Sequence, residues 1–102
     1  MANKHKITAT IYDKKGRVIS VGTNSYNKTH PKQAHYARLV GQQERVYLHA
    51  EIAALIKCRE QGYKIKIERY GKDNKPKLAK PCPICELAIK EAGIQFIEYT
   101  VG

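Results

Sequence analysis

Cys82 and Cys85 are separated by two residues, and Pro83 between them suits the first turn of a helix. Residues i and i+3 share a helix face, so both sulfurs can reach one ion. The unpaired backbone N–H groups of a helix start also favour thiolates. A redox pair has the same spacing, so the two thiols alone leave metal binding and redox chemistry as alternatives.

A histidine and a carboxylate earlier in the chain favour the metal. His49 begins a helix predicted over residues 49–61, and Glu51 lies two positions later. Residues i and i+2 point roughly 200° apart in a regular helix, so both can face one site only at the irregular first turn. Taken singly, His49 is compatible with a helix cap and Glu51 with an acid favoured by the helix dipole. Together with Cys82 and Cys85 they predict a metal with three ligands and a carboxylate beside it.

The number of ligands separates two kinds of zinc site, because structural sites have four protein ligands and catalytic sites keep a position for water. Cys58 lies too far from His49 to be the fourth, roughly 13 Å at 1.5 Å per residue, and is predicted to be a small buried hydrophobe. His30 or His35 can close the shell, which would make the zinc structural. His5 is predicted to be exposed.

Composition indicates one domain over residues 1–102, with 42% apolar residues and a formal charge of +10. This charge favours anionic partners, either polyanions or phosphorylated small molecules, although a solvated basic surface explains it equally well. The candidate phosphate contacts are Arg17, Lys28, Lys32 and Arg38.

Localisation follows from what the sequence lacks. No apolar stretch approaches the roughly 18 residues of a membrane span, and residues 1–6 are too polar for a secretory signal. The chain is therefore predicted to be cytoplasmic, without a membrane partner. Its three cysteines are expected to be reduced there.

Hydrophobic periodicity predicts an α/β fold with a mixed sheet of about four strands. An N-terminal hairpin is followed by two β-α-β crossovers, so the last three strands are expected side by side. Because the strands alternate in polarity, helices on one face are favoured over a three-layer sandwich. The predicted strands cover residues 6–12, 17–23, 63–68 and 95–101. A short helix with Pro31 in its first turn is predicted to bury Ala34, Ala37 and Val40. A second helix covers residues 49–61, and a third begins after Cys82 and buries Ile84, Leu87 and Ala88.

The pattern HAE at residues 49–51, followed by PCxxC at residues 81–85, resembles the zinc-dependent cytidine deaminase superfamily. The order of predicted elements matches as well, so the resemblance covers most of the chain. It implies a cytidine deaminase-like fold of two to three layers, truncated at both ends relative to longer members. The uncovered sheet edge that this leaves predicts a homo-oligomer.

The resemblance also implies roles for individual residues. His49, Cys82 and Cys85 would bind Zn²⁺, which activates a water, and Glu51 would be the catalytic proton shuttle. The substrate contacts implied are Asn24, the Ala50 backbone and Pro81, although a turn-forming role explains Asn24 equally well. Tyr26 and Tyr99 are candidates for stacking on a base, or for ordinary packing.

With histidine in its first position, the HAE pattern is similar to that of the deoxycytidylate, tRNA-adenosine and polynucleotide cytidine deaminases. The predicted substrate is a cytosine nucleotide of the deoxycytidylate or cytidine type, converted to the uracil form with release of ammonia. One alternative is an editing enzyme acting on cytosine or adenine in single-stranded DNA, RNA or tRNA. Another is a zinc-stabilised binding module without catalysis.

Overall fold

The computed structural model describes residues 6–25, 28–42, 48–71, 73 and 75–101. His5 and Tyr26, named above, lie outside these ranges. No helix within them is long and apolar enough to cross a bilayer. In chain order, the described elements are β1 (Lys6–Tyr12), β2 (Val18–Thr23), α1 (Pro31–Leu39), α2 (Ala50–Lys57), β3 (Lys64–Tyr70), α3 (Pro83–Glu91) and β4 (Phe96–Tyr99).

The predicted hairpin is present, and its turn accounts for the position of Arg17, one of the candidate phosphate contacts. The Asp13 carboxylate accepts the backbone N–H groups of Lys15 and Arg17 and pairs with the Arg17 Nε at 2.7 Å. Gly16 completes the turn with a φ of 84°, a conformation that costs glycine little. Arg17 therefore stabilises an exposed turn.

The four strands form one mixed sheet in the order β2-β1-β3-β4. β1 is antiparallel to both of its neighbours, and β3 and β4 are parallel. The α/β class and the four-stranded mixed sheet are confirmed, but the expectation that the last three strands lie side by side is wrong. β2 stays paired with β1 in the hairpin, so β3 adds to the other edge of β1.

Helices α2 and α3 pack on one face of the sheet, toward which alternate residues of β1 and β3 point. Ala9, Ile11, Ile65 and Ile67 on that face have no exposed surface. A first core cluster joins them to α2 and α3 through Ala50, Ala54 and Ile89. A second cluster links the three helices to one another through Tyr36, Ala37, Ile52, Ile84, Cys85 and Ala88. The starts of α2 and α3 are thereby buried close together.

The strand β2 approaches α2 unusually closely at Gly22. A Cβ atom on Gly22 would lie 2.3 Å from the Ala54 backbone nitrogen and 2.5 Å from the Ala50 carbonyl oxygen, so only glycine fits. The Ser20 Oγ donates to the Ala54 carbonyl at 2.6 Å. These contacts fix α2, and therefore its first turn, against the end of the sheet.

Helix α2 is shorter than predicted, since it ends at Lys57 instead of residue 61. Cys58 is extended and caps the helix, and its Sγ donates to the Glu60 carbonyl at 3.1 Å. The Tyr63 backbone N–H donates to the Tyr12 carbonyl, so the chain has to leave the helix early to place residue 63 beside β1. Cys58 is half-buried against the core and only in part the buried hydrophobe that was predicted.

Two further details differ from the sequence predictions. Helix α1 buries Gln33, Tyr36 and Ala37, so its inward face is centred one residue earlier than the predicted stripe. Strand β4 covers only Phe96–Tyr99, lies at one edge of the sheet, and has all four residues exposed. Self-association through that edge stays a prediction.

Candidate metal centre and its cavity

Two helix starts supply the predicted metal ligands. His49 is the residue before α2 and Cys82 is the residue before α3, both with extended backbone, and Cys85 lies in the first turn of α3. The side chains of His49 and Cys82 make no capping hydrogen bond, although both occupy cap positions. Capping therefore does not explain these two residues, and both side chains turn toward Cys85 instead.

The three donor atoms converge at distances that suit zinc. The His49 Nδ1 lies 3.3 Å from the Cys85 Sγ and 3.4 Å from the Cys82 Sγ, and all three atoms lie within 4.8 Å of one another. Usual Zn–N and Zn–S bond lengths in a tetrahedral site separate nitrogen and sulfur by about 3.6 Å. The donor set and its spacing therefore fit one zinc ion, and His49, Cys82 and Cys85 are positioned to bind it.

Contacts within this cluster favour the thiolate form of Cys82. A hydrogen bond from the Cys85 thiol, aided by His49, lowers the pKa of Cys82 to about 4. The same hydrogen bond and burial raise the pKa of Cys85, which has no exposed surface. Because zinc binds the deprotonated sulfur, Cys82 is ready to bind the metal near neutral pH, while Cys85 has to release its proton on binding.

Glu51 lies in the first turn of α2 and is only 6% exposed. Burial raises the pKa of its carboxyl group, against the opposing effect of the nearby His49. Within the described part of the chain, the metal-ligating cluster consists of His49, Cys82 and Cys85, without Glu51. The carboxyl group therefore lies near His49, Cys82 and Cys85 and outside the ligand set, and its catalytic role stays a prediction.

Neither candidate for a fourth ligand joins the cluster. His30 is the N-cap of α1, where its Nδ1 accepts the Lys32 backbone N–H at 3.0 Å. His35 is exposed, and its ring packs edge-on against Tyr36 with 5.1 Å between centroids. Both histidines thus have local structural roles in α1, and neither closes the zinc shell.

A cavity of about 490 Å³ opens beside this cluster. His49 and Cys82 line it together with Glu51, so the metal position and the carboxyl group face the same space. Both apolar and polar side chains form the remaining walls. Among the described residues, the lining is Ile7, Asn24, Ser25, Leu48, His49, Ala50, Glu51, Ile67, Arg69, Leu78, Ala79, Lys80 and Cys82.

The predicted substrate contacts divide into those that line the cavity and those that do not. Asn24 and Ala50 line it, and the Asn24 Oδ1 also accepts the Ile7 backbone N–H at 2.9 Å. Asn24 therefore closes the β1–β2 pairing as well as facing the site. Pro81 is buried but does not line the cavity, and Tyr99 is exposed on β4 and does not line it either.

The positive charges at the cavity differ from those that the sequence suggested. The four predicted phosphate contacts, Arg17, Lys28, Lys32 and Arg38, do not line it. Arg69 and Lys80 do, and neither was predicted. Strand alternation was the signal for Arg69, because it continues the inward series of Ile65 and Ile67 along β3.

Gln33 is a second residue that the sequence did not single out. Its side chain has no exposed surface, and its Oε1 accepts the His49 backbone N–H at 3.2 Å. Helix α1 thereby fixes the backbone of a metal ligand. This contact also explains why the inward face of α1 is centred on a polar residue.

Replacing Gln33 by Ala is expected to lower the free energy of unfolding by about 1–3 kcal/mol, because the His49 N–H loses its acceptor inside the protein. Zinc affinity is expected to fall about 10-fold, as it does when residues that support metal ligands are removed. Urea denaturation and competition with a zinc chelator measure the two effects. Gln95→Ala, at an exposed position, is the matched control, and equal zinc affinity in both variants would contradict a positioning role.

The fold and the donor set together define a metal-binding α/β domain with three protein ligands. The model of the cytidine and deoxycytidylate deaminase zinc-binding region matches residues 1–101, and the chain therefore belongs to this family. No curated protein sequence matches the chain significantly. Zinc is accordingly the metal for which His49, Cys82 and Cys85 are placed.

Proposed function

We propose that this protein hydrolyses the exocyclic amine of a cytosine nucleotide, of the deoxycytidylate or cytidine type, and releases ammonia and the uracil form. One observation carries the proposal. A three-ligand metal position and the buried carboxyl group of Glu51 face one cavity of about 490 Å³, which lies in the size range of small-molecule sites. The family to which the chain belongs supports cytosine as the base.

The protein's own groups have distinct tasks in this reaction. Zinc, when bound, supplies a Lewis acid that activates water at neutral pH. Glu51 accepts a proton from the attacking water, passes it to the ring nitrogen, and assists departure of the amine as ammonia. Its raised pKa suits a group that both takes up and releases a proton. Asn24 and the Ala50 backbone, which line the cavity, orient the base.

The test is incubation of the zinc-loaded protein with a mixed panel of nucleosides, nucleotides, single-stranded DNA and tRNA, followed by mass spectrometry and ammonia detection. We expect the mass of one cytosine nucleotide to rise by the small difference between an amine and the carbonyl that replaces it. Conversion of adenine instead, or of no component, would contradict the proposal. The latter result would indicate a zinc-stabilised binding module.

The formal charge of +10 favours a nucleic-acid editing enzyme as the second candidate. Salt dependence separates the two. Binding through several phosphates weakens steeply as ionic strength rises, whereas one nucleotide gives a shallow dependence. A steep slope, together with conversion of the polynucleotides in the panel, would replace the free nucleotide by a nucleic-acid substrate.

A further inference from the structure

The cavity beside the metal position carries more positive than negative charge. Arg69 and Lys80 line it, and Glu51 is the one acidic residue in the described lining. Glu51 transfers protons in the function proposed above. The two cations therefore remain without an assigned role.

Arg69 is placed at the sheet end where the other site residues gather. It is the residue before the last in β3, and it pairs with Ile7 in β1, whose N–H is bound by Asn24. Strand alternation directs its side chain to the same face as Ile65 and Ile67. Arg69 thus lines the cavity from the end of the sheet, whereas His49 and Cys82 line it from the two helix starts.

The guanidinium of Arg69 has donors that the described residues do not use. Its Nε is buried without a hydrogen-bond partner among them, and its Nη1 reaches only the Leu78 carbonyl at a long 3.5 Å. None of the ion pairs within the described ranges involves Arg69. A charged group with unused donors is costly to bury, so an anion that contacts the remaining guanidinium nitrogens would reduce this cost.

We propose that Arg69, assisted by Lys80, binds the phosphate group of the substrate. This inference rests on the proposed function, since it names the part of the nucleotide that the cavity recognises. A planar guanidinium with parallel N–H donors matches two phosphate oxygens, and a lysine adds a point charge. Lys80 is exposed at the rim, so its share is the smaller one.

The loop before α3 places both cations. The Lys77 N–H donates to the Arg69 carbonyl at 2.8 Å, and the Ala79 N–H donates to the Thr100 carbonyl at 2.9 Å. Residues 77–80 therefore lie against the ends of β3 and β4, with Lys80 two positions before Cys82. Arg69 also contacts this loop through Leu78, so a purely structural role has to be separated experimentally from phosphate binding.

The test compares Arg69→Gln with Lys66→Gln in the zinc-loaded protein. Lys66 lies on the same strand and points to the opposite face, so its replacement removes the same net charge away from the cavity. Deamination of deoxycytidylate, deoxycytidine and a short single-stranded oligonucleotide with one cytosine is measured for each variant. In parallel, binding of deoxyuridylate and deoxyuridine, the reaction products, is measured by calorimetry without turnover.

Arg69→Gln is expected to lower kcat/KM for deoxycytidylate by about 10- to 100-fold, mainly by raising KM. This is the effect expected when one charge-assisted contact to the substrate is lost. Deoxycytidine, which has no phosphate, should change by less than about 2-fold, and Lys66→Gln should resemble the wild type. Deoxyuridylate binding should weaken in parallel, while deoxyuridine binding stays constant. Arg69→Lys, which keeps the charge, should restore part of the loss.

The oligonucleotide identifies the source of the phosphate. A wild-type preference for deoxycytidylate assigns the subsite to a free monophosphate, whereas a preference for the oligonucleotide, with the same loss in Arg69→Gln, assigns it to a phosphodiester. Equal losses on nucleoside and nucleotide would show a structural role and overturn the inference, although deamination itself would stand. If no substrate is deaminated, the proposed function fails, and the product titrations still decide whether Arg69 binds phosphate.

Discussion

The Glu51→Gln protein is expected to lose deaminase activity by about 10²- to 10⁴-fold, the usual contribution of a positioned general acid–base group. Glutamine keeps the size of the side chain and one acceptor oxygen, but its amide cannot transfer a proton. Glu51 lies outside the ligand cluster, so zinc content and thermal stability should stay near those of the wild type. The loss should appear in kcat and kcat/KM alike, because the proton is moved in the transition state.

Glu86→Gln is the matched control for this change. Glu86 occupies the first turn of α3 as Glu51 occupies the first turn of α2, but its side chain is exposed. Both variants lose one acid near a helix N-terminus, so an effect of the helix dipole would appear in each. Metal analysis accompanies the kinetics. A Glu51→Gln protein that loses zinc along with activity would indicate a ligand or structural role, and full activity would remove Glu51 from the mechanism.

The parts of the site that the sequence predicted depend on local rules. Cys82 and Cys85 share a helix face because Pro83 starts a helix between them, and His49 precedes a helix for reasons of composition that hold over a short window. The β1 bounds followed from strict alternation over residues 6–12, and the turn after it from Asp13 and Gly16. No long-range contact is needed for any of these features.

Features that depend on distant contacts were predicted less well. The early end of α2 is set by the hydrogen bond between Tyr63 and Tyr12, which lie 51 positions apart (63 minus 12). The inward face of α1 is set by the contact of Gln33 with His49, and apolar periodicity gives a buried glutamine no weight. The position of β1 between β2 and β3 is likewise a choice of pairing edge that alternation does not encode.

The two cations at the cavity, Arg69 and Lys80, show the same difference between local and long-range causes. Basic residues are spread along the chain, and the sequence offered no way to decide which of them share a cavity. Arg69 reaches it through the alternation of β3, whereas Lys80 reaches it because residues 77–80 return along the sheet end through two backbone hydrogen bonds. The alternation of β3 is a local pattern that the sequence shows. The path of residues 77–80 depends on contacts that form only in the folded chain.

Replacing Cys85 by Ala is expected to abolish stoichiometric zinc binding and with it the stability that zinc confers. Metal binding and folding are coupled, so the loaded wild type should gain about 4 kcal/mol when free zinc exceeds its Kd about a thousandfold. Cys85→Ala loses this gain. In zinc-free protein the two chains should differ far less, because only one buried sulfur is removed from a packed helix start.

Thermal unfolding of both proteins with zinc and with chelator tests this thermodynamic cycle, and metal analysis counts the bound zinc. Cys58→Ala is the matched control, since Cys58 is a half-buried cysteine at the end of α2 and its Sγ bonds to the Glu60 carbonyl. It should retain zinc and the full stabilisation. A Cys85→Ala protein that still binds one zinc per chain would show that the metal is held elsewhere. The assignment of the catalytic cavity would then fall with it, because Glu51 is placed relative to this cluster.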